Sequence, residues 1–223
     1  MAKVDLYRGR DPRDVPTYGI REAAGYMRIA PTTLRAWVSG SARVIPLAGT
    51  RPPLLSFWNL VEVYVLAALR RRHRVPLQRV RRALRFVERE LDTARPLIEQ
   101  EFLTDGLDLF IEYYGKLVNA SQAGQTEMRS LLEASLDRVE RDPRGLAERF
   151  FPWSREPGEP REVEIDPRRA LGKLVVAGTG IPTAIIADRL HAGDSLAHLA
   201  RDYHLKLDQV GAALRWELGA SAH

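Results

Sequence analysis

The 223-residue chain contains no cysteine. That absence removes disulfides, thiolate metal sites and cysteine nucleophiles together. No run of 18 apolar residues occurs, so no segment has the length and apolarity of a membrane-spanning helix. The opening Met1-Ala2-Lys3-Val4-Asp5-Leu6-Tyr7-Arg8 is charged and lacks the apolar stretch of a signal peptide, which predicts a cytoplasmic protein. Lysine is scarce as well: four of the 34 basic residues are lysine, and arginine carries the rest. Sites of catalysis are equally hard to find. No Gly-x-Ser-x-Gly occurs, and Gly178-Thr179-Gly180-Ile181-Pro182 lacks the length and the lysine of a phosphate-binding loop. Asp188, His191, Asp194, His198 and Asp202 recur at short intervals, but Gly193 interrupts the helix that would align them, so they read as surface polar residues rather than metal ligands. The expectation is a protein that is not an enzyme and holds no cofactor or metal.

What is present is an uneven charge. Residues 1–95 hold 19 Lys+Arg against 8 Asp+Glu, while residues 96–223 hold 15 against 21. A basic front suits phosphates, and an acidic rear suggests a different partner. Within the front, Thr17–Val38 organises the reading. Ile20, Ala23, Ala24 and Met27 fall at i, i+3, i+4, i+7, one buried helical face. After a break at Arg28-Ile29, Pro31 suits a first helical position. Leu34 and Val38 then face inward, which turns Thr32, Thr33, Arg35 and Ala36 outward. Two short helices with such an outward set describe a helix-turn-helix and its recognition helix; the competing reading is an ordinary helical hairpin in a core.

Residues 1–16 read as a flexible arm. Ser41–Pro53 has hairpin or loop composition and would be the wing of a winged helix, carrying Arg43 and Arg51. Ser56 is a good N-cap for an almost wholly apolar helix at about 57–73, whose closing Arg70-Arg71-Arg72-His73 suits the negative end of the helix dipole. A helix at 76–92 puts Val80, Ala83, Leu84, Val87 and Leu91 inward. Arg81, Arg82, Arg85 and Arg89 lie on another face, as a solvated stripe or as backbone contacts. In residues 96–153, a small α+β block, Asp105-Gly106 between apolar runs predicts a hairpin. Tyr113–Val118 then predicts a second turn and strand, Gln125–Glu140 a helix, and Phe150-Phe151 a last strand. Residues 154–162, polar with two prolines and a glycine, predict a linker. Beyond it, 163–217 reads as short strands followed by helices at about 183–192, 195–203 and 208–217, with 218–223 as a tail. The fold class is therefore mainly α (α+β).

Two segments resemble known families. Tyr18-Gly19-Ile20-Arg21-Glu22-Ala23-Ala24, with Pro31, Leu34-Arg35 and Trp37, is similar to the opening of MerR-like winged helices. Arg28 stands where those often have glycine, which implies either a left-handed arginine, at about 1–2 kcal/mol, or a different turn. The tail resembles the domain-of-unknown-function family 433. That likeness is carried by Ile165-Asp166-Pro167, Gly172-Lys173, Gly178-Thr179-Gly180-Ile181-Pro182-Thr183, Ala192-Gly193-Asp194-Ser195, Leu199–Tyr203 and Val210–Leu214, with Gly180 in place of the usual arginine. Together they look like the long VapB-type antitoxins. That resemblance implies a protein that represses its own promoter and neutralises a PIN-like ribonuclease toxin; because a lone helix-turn-helix reads only a few base pairs, a homodimer is expected. Its double-stranded DNA operator would be contacted by Arg28, Thr32, Thr33, Arg35, Trp37, Arg43, Arg51, Arg81, Arg82 and Arg85. The alternative is a stand-alone dimeric MerR-like regulator whose rear domains dimerise or bind a ligand.

Overall fold

A computed structural model of the chain describes residues 9–40, 43–47, 49–72, 76–152 and 158–220. The expected arm at 1–16 is overturned for residues 9–16; residues 1–8 lie outside the described ones. Arg13 is fully buried. Its guanidinium donates to Asp11 at 2.6 Å and to Asp142 at 2.8 Å, and lies 5.2 Å over the Trp58 ring. A buried arginine must be paired on this scale to offset its desolvation, and the pairing sews the start of the chain to its middle.

The front of the molecule follows the spacing read from the sequence. A short strand β1 (Tyr18–Gly19) leads into α1 (Ile20–Tyr26), a tight turn and α2 (Pro31–Val38). Ile20, Ala23, Ala24 and Met27 are buried. The turn is made by Arg28 in the left-handed conformation at φ 49°, which settles how arginine replaces glycine there. The expected wing is a minimal hairpin, β2 (Gly49–Thr50) and β3 (Pro53–Leu55), antiparallel in a sheet of order β1-β3-β2. Residues 41, 42 and 48 of that stretch lie outside the described residues.

Helix α3 (Phe57–Arg72) starts at a reciprocal cap. The Asn59 N–H donates to Ser56 Oγ at 3.2 Å, and the Ser56 N–H donates to Asn59 Oδ1 at 3.1 Å. Buried Asn59 also donates to Glu62, which Arg95 holds with two bonds of 3.0 and 2.9 Å. The helix is apolar all round because it is covered all round: α6 (Gln122–Leu136) and β5 (Ala147–Phe150) pack on it as well as the front elements. Helix α4 (Leu77–Glu90) buries Val80, Ala83, Leu84 and Val87, and packs against α5 (Leu107–Val118), with Phe86 stacked on Tyr113 at 4.3 Å.

That last pair reports a correction. Asp105-Gly106 is not a hairpin and Tyr113–Val118 is not a strand. Phe102–Gly106 is a π-helical turn that runs straight into α5. Gly106 has helical φ −69°. A Cβ there would press on Phe102, Leu91 and Val87, so the glycine permits close helix packing rather than a left-handed turn.

The second sheet has order β4-β5-β6-β7, all antiparallel, with β4 (Val139–Arg141), β6 (Val163–Ile165) and β7 (Leu174–Val176). Phe150 of β5 stands opposite Ile165 of β6. The segment expected as a linker thus joins adjacent strands of one sheet. Arg138 fastens its edges, donating to the Phe151 carbonyl at 2.6 Å and the Glu159 carbonyl at 2.5 Å; residues 153–157 lie outside the described ones. Three helices close the chain, α7 (Thr183–His191), α8 (Leu196–Asp202) and α9 (Leu207–Ala220). Ser195 caps α8 by accepting from the His198 N–H at 3.2 Å. Val176, Ile186, Leu199, Val210 and Ala213 form a small core between them. Trp216 leaves that core and enters the large one shared by the front and middle of the chain. The fold is mainly α with two small antiparallel sheets.

Candidate nucleic-acid interface

Helix α2 carries the outward set. Leu34, Trp37 and Val38 are buried, while Thr32, Arg35 and Ala36 are exposed and Thr33 is half-buried. The inward arc thus includes Trp37, which the sequence reading placed among DNA contacts. At 1 % exposure its ring cannot reach a base or a phosphate. It is a core residue. The carbonyl of Trp37 accepts from the Val44 N–H at 2.8 Å and the Ile45 N–H at 3.2 Å. The loop after α2 is folded back by these bonds, and Gly40 at φ 80° makes its bend. Arg43 is held exposed on that loop.

Arg28 also departs from its expected role. Its guanidinium donates to the Trp216 carbonyl at 2.7 Å and stacks 4.6 Å over the Trp216 ring. The side chain belongs to the junction between the α1–α2 turn and the last helix, not to the outward face of α2. A separate contact ties α1 to the residue before β7, where Lys173 pairs with Glu22 at 2.6 Å, and within α1 the Tyr26 hydroxyl donates to Glu22 at 3.0 Å. Burial, with the Glu22 charge beside it, pushes the Tyr26 phenol above its ordinary pKa.

The remaining arginines sort by position. Arg43, Arg81 and Arg85 line one groove of about 440 Å³ between the loop after α2 and helix α4, with Gly40, Pro46 and Glu88 in its walls. Arg82 is exposed outside that groove, and Arg51 is exposed in the turn between β2 and β3. Among the described residues neither Arg43 nor Arg85 has a carboxylate at salt-bridge distance. Glu88 is the acid present. Burial raises its pKa, against the lowering pull of Arg85, and Glu62 adds to the rise. A smaller cleft of about 290 Å³ at α2 is lined by Thr32, Thr33, Ala36, Arg70 and Leu77, with the Trp37 ring at its floor. Arg70, read from the sequence only as a helix-end charge, lies 5.7 Å over the Trp37 ring. No periodicity could have found it, because the pairing joins helices 33 positions apart.

Elsewhere, the acidic and histidine residues of the tail are organised by an arginine. Arg189 donates to Asp194 at 2.6 Å and Asp202 at 2.8 Å, and His198 Nε2 stands 3.3 Å from Asp202. The guanidinium holds one oxygen of each carboxylate through charge-assisted hydrogen bonds. Among the described residues no helix is long and apolar enough to cross a membrane.

Comparison with known proteins adds the following. Residues 163–216 match the family described as Protein of unknown function (DUF433). The DUF433 segment therefore begins at β6 and ends on Trp216, the residue that touches Arg28. Over almost its whole length the chain is 27 % identical to the Mycobacterium tuberculosis protein named Putative antitoxin VapB45, covering 90 % of this chain and 93 % of that one. It is 23 % identical to Uncharacterized protein Rv2308 of the same organism, covering 90 % of each. The X-ray crystal structure of Rv2018 from Mycobacterium tuberculosis superposes with a TM-score of 0.71 at 26 % identity, over 90 % of this chain and 98 % of that one.

Proposed function

We propose that the chain is a DNA-binding antitoxin that represses its own promoter as a homodimer and neutralises a PIN-like ribonuclease toxin, and that it is not itself an enzyme. The observation that carries the DNA half is the outward face of α2, Thr32, Arg35 and Ala36, beside a groove lined by Arg43, Arg81 and Arg85. The arrangement β1-α1-α2-β2-β3 suits a MerR-like winged helix-turn-helix whose recognition helix is α2, with side chains for base edges at its centre and cations for phosphates at its side. The toxin half rests on the likeness to the protein named Putative antitoxin VapB45, and on the net acidic rear of the chain, which leaves the basic face free for DNA.

Arg35→Ala tests the DNA half directly. It should cost roughly 1–3 kcal/mol in operator affinity and relax sequence preference, with the fold intact, since Arg35 is exposed. Operator binding equal to wild type in a gel-shift titration would remove α2 from the recognition role. Co-expression with the product of the neighbouring gene, followed by pulldown, tests the toxin half.

A second reading has one observation of its own. A cavity of about 620 Å³ lies between α9 and Pro152, Pro160 and Glu162, lined also by Arg28, Trp216, Arg215 and Leu218. In a stand-alone regulator this would be the ligand pocket, placed against the α1–α2 turn. A small ligand that shifts operator affinity without any toxin present would favour it.

A further inference from the structure

The groove beside α2 is not simply basic. Three arginines from two elements, Arg43 on the loop and Arg81 and Arg85 on α4, share it with one carboxylate, Glu88, one turn along α4 from Arg85. We propose that Glu88 is a built-in competitor for this groove, so that a backbone phosphate seats more tightly when the Glu88 carboxylate takes a proton, and DNA binding is linked to proton uptake. The inference rests on the DNA reading above and specifies how one of its contacts is controlled.

The geometry gives the reason. A phosphodiester seated between Arg43, Arg81 and Arg85 would place a second anion in a volume of about 440 Å³ that Glu88 already helps to line. Like charges that share a site disfavour joint ionisation, so a seated phosphate favours the protonated form of Glu88 even with three guanidinia present. Every charged group facing Glu88 bears on the balance. Arg85 on its own helix favours the carboxylate, and Glu62 on α3 disfavours it. Glu62 and Arg95, which line the adjoining cavity with Glu88, are already bound to each other through two hydrogen bonds. Arg95 is therefore committed to Glu62. Burial has raised the Glu88 carboxyl in the absence of DNA, and an incoming phosphate raises it further. Between the free and the bound pKa one proton, drawn from solvent onto a Glu88 Oε atom, accompanies each binding event. Affinity then climbs as pH falls through that interval, by at most tenfold per pH unit for one proton.

Glu88→Gln keeps the shape of the side chain and removes its charge and its titration. The test uses the full chain and a mixed-sequence duplex of about 20 base pairs at low salt, with affinity measured by fluorescence anisotropy from pH 8 to pH 5.5. The expected result is that Glu88→Gln binds several-fold more tightly than wild type near pH 8, and that the two curves converge toward pH 5.5. Protonation of histidines, common to both proteins, cancels in the comparison. Glu88→Asp, which keeps a titrating carboxyl, should retain a wild-type slope. Parallel curves for wild type and Glu88→Gln would overturn the inference while leaving the DNA reading intact. Failure of both proteins to bind duplex DNA at any pH would refute the DNA reading itself, and the inference would fall with it.

Discussion

Trp216→Ala asks whether the segment that matches DUF433 is an independent module or part of the proposed DNA-binding unit. The indole is 6 % exposed and sits in the large core, not in the small core of its own helices. Truncating a buried tryptophan to alanine costs roughly 3–5 kcal/mol through lost transfer energy and the space left behind. Two features place this case near 3. The ring borders the open cavity beside α9, so water can fill part of the void. The Arg28 bond is to the Trp216 backbone carbonyl, which alanine retains. Loss of the cation–π contact adds about 0.5–1 kcal/mol. The Arg28 backbone contributes in the opposite sense: a left-handed arginine at φ 49° carries about 1–2 kcal/mol of strain. Arg28→Gly relieves that strain while losing the Trp216 contacts, so it should come out within about 1 kcal/mol of wild type. Urea unfolding followed by circular dichroism gives both values, and the double variant gives their coupling. Trp216→Ala should also weaken duplex binding while leaving the salt slope unchanged, because the residue touches the α1–α2 turn rather than a phosphate. A loss below 1 kcal/mol, with unfolding in two separate transitions, would refute the account and make the segment an independent domain.

Other perturbations give separate checks. Arg85→Ala should lower the salt slope of duplex binding by about 0.9, whereas Arg82→Ala, outside the groove, should leave it unchanged; equal slopes for the two would dissolve the groove as a phosphate seat. Gly172→Ala should cost roughly 2–4 kcal/mol in thermal unfolding, because Gly172 has φ 76° and an added Cβ would collide with the buried Tyr18 hydroxyl. Burial alone would raise the Asp142 carboxyl, but the Arg13 bond and the Leu146 and Arg144 N–H groups outweigh it and bring its pKa to about 2. A depressed folded-state pKa contributes stability that is complete above about 4 and is lost as pH falls toward 2, so Asp142→Asn should flatten that part of the acid-unfolding curve. A chain ending at residue 152 should aggregate, since it removes β6 and β7 from the second sheet and Trp216 from the large core.

The sequence by itself determined the local elements whose cause is local. The spacing of Ile20, Ala23, Ala24 and Met27, the proline at 31, the Ser56 cap and the apolar stripe of α4 each act within a few residues of themselves, and each element forms where they place it. The outward position of Thr32 and Arg35 was legible for the same reason. Wherever the cause lay across the chain, sequence was silent or misleading. Asp105-Gly106 has turn chemistry, yet packing of Gly106 against Phe102, Leu91 and Val87 decides in favour of helix. A polar, proline-containing stretch at 154–162 looks like a boundary, yet the strands on either side pair with each other. Arg13 and Arg28 look like surface cations of a basic protein. Their partners are Asp142 and Trp216, 129 and 188 positions away, and only folding brings such groups together. That is why tertiary structure decided which arginines are available to the proposed DNA contact. Arg13, Arg28 and Arg95 are held by Asp142, Trp216 and Glu62, while Arg35 lies on α2 and Arg43, Arg81 and Arg85 line the groove.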